Sequence, residues 1–384
     1  MPFDFQRHNQ EVREVWDAFH DGEPLRVPVA WGISEQNFIL DPKLNTSLYS
    51  FRQYMENPDV MMDVQLHFQE WTRFNVLQDS EMGIPKQGWD PIHIDFQNTA
   101  EPAWLGCPII YGGRGSVPDT EPILRKDKAA LSDMEIPDPV RGNIMGRACE
   151  FYEYLSEKLR DYQFRNRPVN GVVPVAHMTD GPFTLACKLR GATELCMDIG
   201  EDPDWVHRLM EFAAEAISRR GKAWYDFMNV KYPMPQWMSG FADDFCELLS
   251  LETYRQFVLP FHRRLVTTFS QGGPNHIHLC GRAQHLFKTL QEELNIQDFY
   301  VGFPTDMGRM RRDLGPGVRI MGNLHPLMFR YDSDAQITDK VRQALASGVM
   351  EGGNFILSGD VPPASSPRSL AVAYDAAREH GRYR

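Results

Sequence analysis

The chain has 384 residues, 42% hydrophobic and 24% charged, a balance suited to a globular protein with a large core. Its formal net charge of −12 argues against nucleic acid and anionic membrane surfaces as partners, because polyanions favour basic proteins. No run reaches the roughly 18 apolar residues of a membrane span, and the opening MPFDFQRHNQ is too polar for a signal peptide. The six cysteines form no CxxC pair and are expected as reduced thiols in a cytoplasm.

Along the chain, Val12, Val15, Trp16 and Phe19 give the N-terminal segment one apolar helical face, suited to closing a barrel floor. Short apolar runs then alternate with amphipathic helical stretches. The predicted strands are residues 27–31, 74–78, 171–176, 235–240, 275–280, 298–303, 318–322 and 354–358. Eight is the number that closes a parallel barrel, so the expected fold is α/β: a single (β/α)8 TIM barrel over residues 1–384 with an N-terminal helical extension. Residues 79–150, rich in Pro, Gly, Trp and Asp, read as a long excursion over the barrel mouth. Asp202-Pro203 predicts a helix start, with Val206, Leu209, Met210, Ala213 and Ile217 on one face. Ser250 is expected to cap a helix carrying Tyr254, Phe257 and Phe261, kinked at Pro260. Ser366-Pro367 opens the last helix, with Ala371, Tyr374 and Ala377, and Gly381 is expected as its left-handed stop.

Polar residues follow the apolar runs: Asp79 and Glu81, His177 and Asp180, Asp243 and Asp244, His278 and Cys280, Asp306, Asn323, Asp360. In a parallel barrel the carboxyl ends of all strands meet at the mouth that carries the chemistry, although each Asp or Asn is also a natural helix cap. Asp306 with Arg309, Arg311 and Arg312 reads as a structural ion-pair cluster. Trp31, Trp89, Trp104 and Trp237 are core residues or the walls of an aromatic pocket.

The sharpest local pattern is Asn275-His276-Ile277-His278-Leu279-Cys280-Gly281. Alternate positions of a strand share a face, so His276, His278 and Cys280 can point together. Imidazole nitrogen and thiolate sulfur suit Zn2+, and Asp360, directly after the apolar run 354–358, is the natural third donor. The competing reading is a buried histidine beside an inert core cysteine.

Four segments resemble the uroporphyrinogen decarboxylase superfamily: Asp180-Gly181-Pro182-Phe183-Thr184-Leu185-Ala186, His278-Leu279-Cys280-Gly281, Gly322-Asn323-Leu324-His325-Pro326, and Gly352-Gly353-Asn354-Phe355-Ile356-Leu357-Ser358-Gly359-Asp360. The resemblance runs from about residue 150 to the closing Gly381-Arg382-Tyr383 and is traceable earlier through Arg26-Val27-Pro28-Val29. It implies either metal-free porphyrinogen decarboxylation or zinc-dependent methyl transfer with corrinoid proteins. The decarboxylase reads substrate carboxylates with an arginine cluster that residues 27–33 here lack; its acidic pyrrole-binding residue corresponds to Asp79, and a late histidine falls near Asp360.

The methyltransferase branch binds zinc through HxC plus a later cysteine, which implies His278 and Cys280, with Asp360 standing where the relatives have Cys. A carboxylate in place of a thiolate leaves zinc a stronger Lewis acid, suited to an ether oxygen. The implied reaction is demethylation of a small methoxylated aromatic substrate, the methyl passing to cobalamin on a corrinoid protein. Asp79, Asp180 and Asp243 are then the expected catalytic residues, and Trp31, His177 and Asn323 the expected substrate contacts. Asp243 or Asp244 serves as a fourth ligand or orients His278. A metal-free decarboxylase of a cyclic or aromatic acid using Asp79, and a non-catalytic corrinoid- or tetrapyrrole-binding barrel, are the alternatives. A homodimer is compatible with the sequence without being dictated by it.

Overall fold

The first helix, Phe5–His20, starts where the Asp4 side chain accepts the Arg7 amide, and it buries Val12, Val15 and Phe19. The computed structural model describes residues 3–113, 115–175, 179–238 and 240–383. Two compact units are built from interleaved stretches of chain. The first comprises Met1–Ile92, Lys158–Gly171 and Asp298–Arg384, and the second His93–Glu157 and Val172–Gln297.

In the first unit, parallel pairing joins Asp298, Phe299 and Tyr300 to Arg319, Ile320 and Met321, and the strand Arg319–Asn323 to Phe355–Ser358. The expected strand 27–31 runs parallel beside the last of these, through Val29 opposite Leu357 and Gly32 opposite Asp360. The Asp79 amide donates to Val29 O at 2.8 Å, so the chain after residue 75 lies alongside in turn. The expected strand 74–78 does not form: the helix Pro58–Asn75 takes its first two positions, and residues 76–78 are irregular. Asn57 caps that helix, and its apolar face carries it through residue 75.

In the second unit, Thr179–Asp180, Phe241–Ala242 and Asn275–Leu279 pair in parallel, with Asp180 opposite Ala242 and Ala242 opposite His278. The expected strand 235–240 is displaced to Phe241–Ala242, and the expected 171–176 strand is realised as Val172–Val173. The long helix Pro203–Phe227 starts as read: Asp202 accepts from the Trp205 amide, and the named apolar face is buried. Ser250 accepts from the Thr253 amide. The predicted kink is a break at Val258 between helices Leu251–Phe257 and Leu259–Phe269. The segment read as an excursion is packed rather than loose: Phe96, Trp104, Leu124, Met145 and Leu155 are buried, and Asn143–Lys158 is helical.

Gly381 is not left-handed, its φ being −95°. Its lack of a side chain matters for a different reason: a Cβ there would lie 2.6 Å from Ala377 O. Asp306 caps Met307–Leu314 by accepting from the Arg309 amide, and buried Arg311 donates to carbonyls of Val349, Gly315, Val318 and Asn354. The segment thus supplies a cap and a backbone brace, with Arg309 also paired to Asp313 at 3.3 Å. No disulfide forms among the described residues, and no helix among them is long and apolar enough to cross a membrane. Strands followed by helices in both units make this an α/β protein.

Candidate metal centre

The strand Asn275–Leu279 buries Asn275, Ile277 and Leu279 and leaves His276 and His278 partly exposed on the opposite face, the alternation a pleated strand imposes. Asn275 fixes its entry: Oδ1 accepts from the Trp237 amide at 3.0 Å, and Nδ2 donates to Leu294 O at 3.0 Å. Beyond the strand, the turn Asp244–Leu248 grips the loop with two carboxylates. Asp244 Oδ1 accepts from the Cys280 amide and Glu247 Oε2 from the Arg282 amide, each at 2.7 Å. Gly281 between them has φ +77°, and a Cβ there would fall 2.0 Å from Glu247 Oε2, so only glycine fits.

His278, Cys280 and Asp244 each offer a donor atom, all within 4.8 Å of one another. His278 Nε2 lies 3.1 Å from Cys280 Sγ and 3.7 Å from Asp244 Oδ1. Tetrahedral zinc with bonds of about 2.0–2.3 Å holds its ligand atoms about 3.5 Å apart. The two spacings bracket that distance, and the N, S and O donors match zinc's preferences, so these residues fit the ion. His276 does not join the group. Asp360 belongs to the first unit, where Oδ1 accepts from the Tyr300 hydroxyl at 2.8 Å and Gly32 packs against both.

Asp243 turns the other way from its neighbour and is fully buried. Its Oδ1 accepts from the Thr184 amide at 2.6 Å and Oδ2 from the Phe183 amide at 3.2 Å, capping the helix Pro182–Arg190. A Cβ on Gly181 would strike this carboxyl at 2.3 Å, so glycine lets the strand and cap meet. His262 Nε2 stands 2.7 Å from Asp243 Oδ2; of the roles open to Asp243, helix capping is the one its contacts show.

Asp180 ends its strand over buried Glu101, which accepts from the Asp180 amide at 3.0 Å, from the Thr179 hydroxyl, and from Arg220 at 2.6 Å. Burial, the Glu101 charge and, more weakly, Asp243 and Asp244 push the Asp180 carboxyl well above the usual carboxylate range, against a smaller pull from Lys188. Glu101, Arg220 and His262 were not singled out from sequence, and Tyr254 only as part of a helix's apolar face; Glu101 sits in the irregular segment, and nothing in its spacing announces a buried carboxylate.

Asp79 is sealed in the first unit. Arg26 donates to both its oxygens at 2.7 and 2.6 Å, Val29 N at 2.7 Å and Tyr374 OH at 3.0 Å, with its side chain wholly buried. That arrangement braces three chain segments and leaves no oxygen for a substrate. Asp79→Ala is expected to cost about 3–5 kcal/mol through the stranded guanidinium. A lowered urea midpoint with unchanged metal content would be the signature. Asn323 spends its amide hydrogens on Gly302 O and Thr305 O, and Trp31 donates to Leu77 O from a buried site. Trp89, Trp104 and Trp237 are likewise core residues with bonded indoles. His177 lies outside the described residues.

The family profile "Uroporphyrinogen decarboxylase (URO-D)" matches residues 14–380. The chain belongs to the URO-D family. Among curated relatives, a methylated-thiol–coenzyme M methyltransferase of Methanosarcina mazei is 24% identical over 66% of this chain. The match spans 63% of that relative's length, a little under two thirds. A uroporphyrinogen decarboxylase of Gloeobacter violaceus is 24% identical over 87% of this chain and 90% of its own. A solved methyltransferase from Methanosarcina mazei shares the fold with TM-score 0.63 at 17% identity, covering 96% of this chain and 98% of that one. This URO-D family member thus has relatives of both chemistries.

Proposed function

We propose that this URO-D family protein is a zinc-dependent methyltransferase built as a (β/α)8 barrel. It would remove the methyl group of a small methoxylated compound and pass it to a corrinoid protein. The observation that carries this reading is the His278–Cys280–Asp244 donor group at zinc spacing. Bound there, Zn2+ would supply Lewis acidity toward an ether oxygen. The protein's own residues do the rest: Asp244 holds the Cys280 amide, which aims the thiolate, and Asp180, whose carboxyl is pushed up by burial and the Glu101 charge, would give its proton to the departing oxygen. The carbon–oxygen bond breaks, the methyl leaves to its acceptor, and the oxygen takes the proton.

The decarboxylase reading loses support at Asp79, whose oxygens are all committed to Arg26, Val29 and Tyr374. The test is a methyl-transfer assay on zinc-loaded protein with methoxylated aromatics, with and without a Co(I) corrinoid acceptor. Phenol release that requires the acceptor is the expected result. Release of CO2 from a carboxylated substrate without corrinoid would hand the assignment to the decarboxylase reading.

A further inference from the structure

We propose that His262 is a positioning residue for the metal centre, acting through Asp243 on the neighbouring ligand Asp244; the inference rests on the metal-binding reading above. A chain of buried hydrogen bonds leads there. A carboxylate only accepts, so His262 Nε2 carries the hydrogen given to Asp243 Oδ2 at 2.7 Å. On the other side of the ring, Nδ1 is hydrogen-bonded with the Tyr254 hydroxyl, 3.0 Å away. Tyr254, His262 and Asp243 are each buried to within 1% of completely, so no water competes for these bonds.

The main chain at 243–245 is consequently pinned from three sides. The Asp243 carboxylate is locked by His262 and by the Phe183 and Thr184 amides. The Phe245 amide donates to Thr184 Oγ1 at 3.3 Å, and the Asp244 carboxylate holds the Cys280 amide. Asp243 is the N-cap of the 3-10 turn Asp244–Leu248, directly after the strand Phe241–Ala242. With the Asp243 carboxylate locked to His262 and the helix amides, the first residue of the turn is held where the Asp244 carboxylate meets the Cys280 amide, beside His278.

Asp243, Cys246 and His262 also lie close enough to hold a metal themselves. The Asp243 oxygens, however, already accept from two amides and one imidazole, the saturation of a brace rather than of a vacant ligand set.

The test is Co2+ titration of chelator-stripped protein, read by the thiolate-to-cobalt absorption band, with circular dichroism and thermal midpoint on each variant. His262→Ala should weaken Co2+ about 10- to 100-fold, the usual cost of losing a group that orients a ligand, and shift the band. His262→Gln, which keeps an N–H for Asp243, should recover most of the affinity, and Tyr254→Phe should fall between Gln and wild type. If His262→Ala does not fold, the Gln and Phe variants carry the comparison. Wild-type affinity and spectrum in every folded variant would overturn the inference while leaving the metal centre standing. Two Co2+ per wild-type chain, one lost on removing His262, would overturn it by making His262 a ligand. A wild-type protein that takes up no Co2+ overturns both the inference and the metal-binding reading.

Discussion

Cys280→Ala is expected to lose most of the bound zinc, more than the roughly 10- to 100-fold of affinity that goes with an orienting neighbour, because Cys280 is the only thiolate in the donor group. The imidazole and carboxylate left behind are weaker zinc donors than sulfur and are already employed: Asp244 Oδ1 holds the Cys280 backbone amide, which the substitution leaves in place. The loop should therefore keep its shape while the metal goes. Asp244→Ala and Asp360→Ala belong in the same experiment, since family resemblance points to position 360 and the geometry of the second unit to 244. Metal analysis by mass spectrometry after dialysis should show zinc falling with Asp244→Ala. Full occupancy in Cys280→Ala removes the thiolate from the site, and loss confined to Asp360→Ala returns the third ligand to the position the relatives use.

The closeness of His278 and Cys280 was legible because a pleat has only two faces: alternate residues share one, and the two side chains lie 3.1 Å apart. Helix starts at Asp202-Pro203 and Ser366-Pro367 were equally plain, since caps and N1 prolines are local chemistry. What sequence could not tell was which acid of a strand end serves the site. Asp79, Asp180, Asp243 and Asp360 read alike as letters, yet one is locked by arginine, one crowded by a second carboxylate, one buried under a helix and one held by a tyrosine. Their partners, Arg26, Glu101, His262 and Tyr300, stand 53, 79, 19 and 60 positions away. The expected strand 74–78 was lost where the neighbouring helix Pro58–Asn75 extended into its apolar run.

Asp180→Asn is expected to slow demethylation by about 100- to 10,000-fold, the usual contribution of a placed proton donor, and to abolish the alkaline fall of the wild-type profile. The sign follows from the direction of the shift. Burial and the Glu101 charge raise the folded carboxyl, so the acid form persists at pH values where an ordinary aspartate has ionised. Activity that needs the acid is present below the raised folded pKa and lost as pH climbs through it. Stability carries the same sign. Between the unfolded pKa, about 3.9, and the raised folded value, the native state binds the extra proton, so rising pH weakens the fold across that window. Asp180→Asn cannot ionise and should lose this part of the decline, giving a urea midpoint that holds up better than wild type on the alkaline side. Glu101→Gln should move both the activity limb and the stability decline to lower pH by removing the nearest negative charge. Should Asp180→Asn retain the wild-type rate and limb, proton donation comes from elsewhere. If the limb survives in rate but the stability difference vanishes, Asp180 is not the group that titrates.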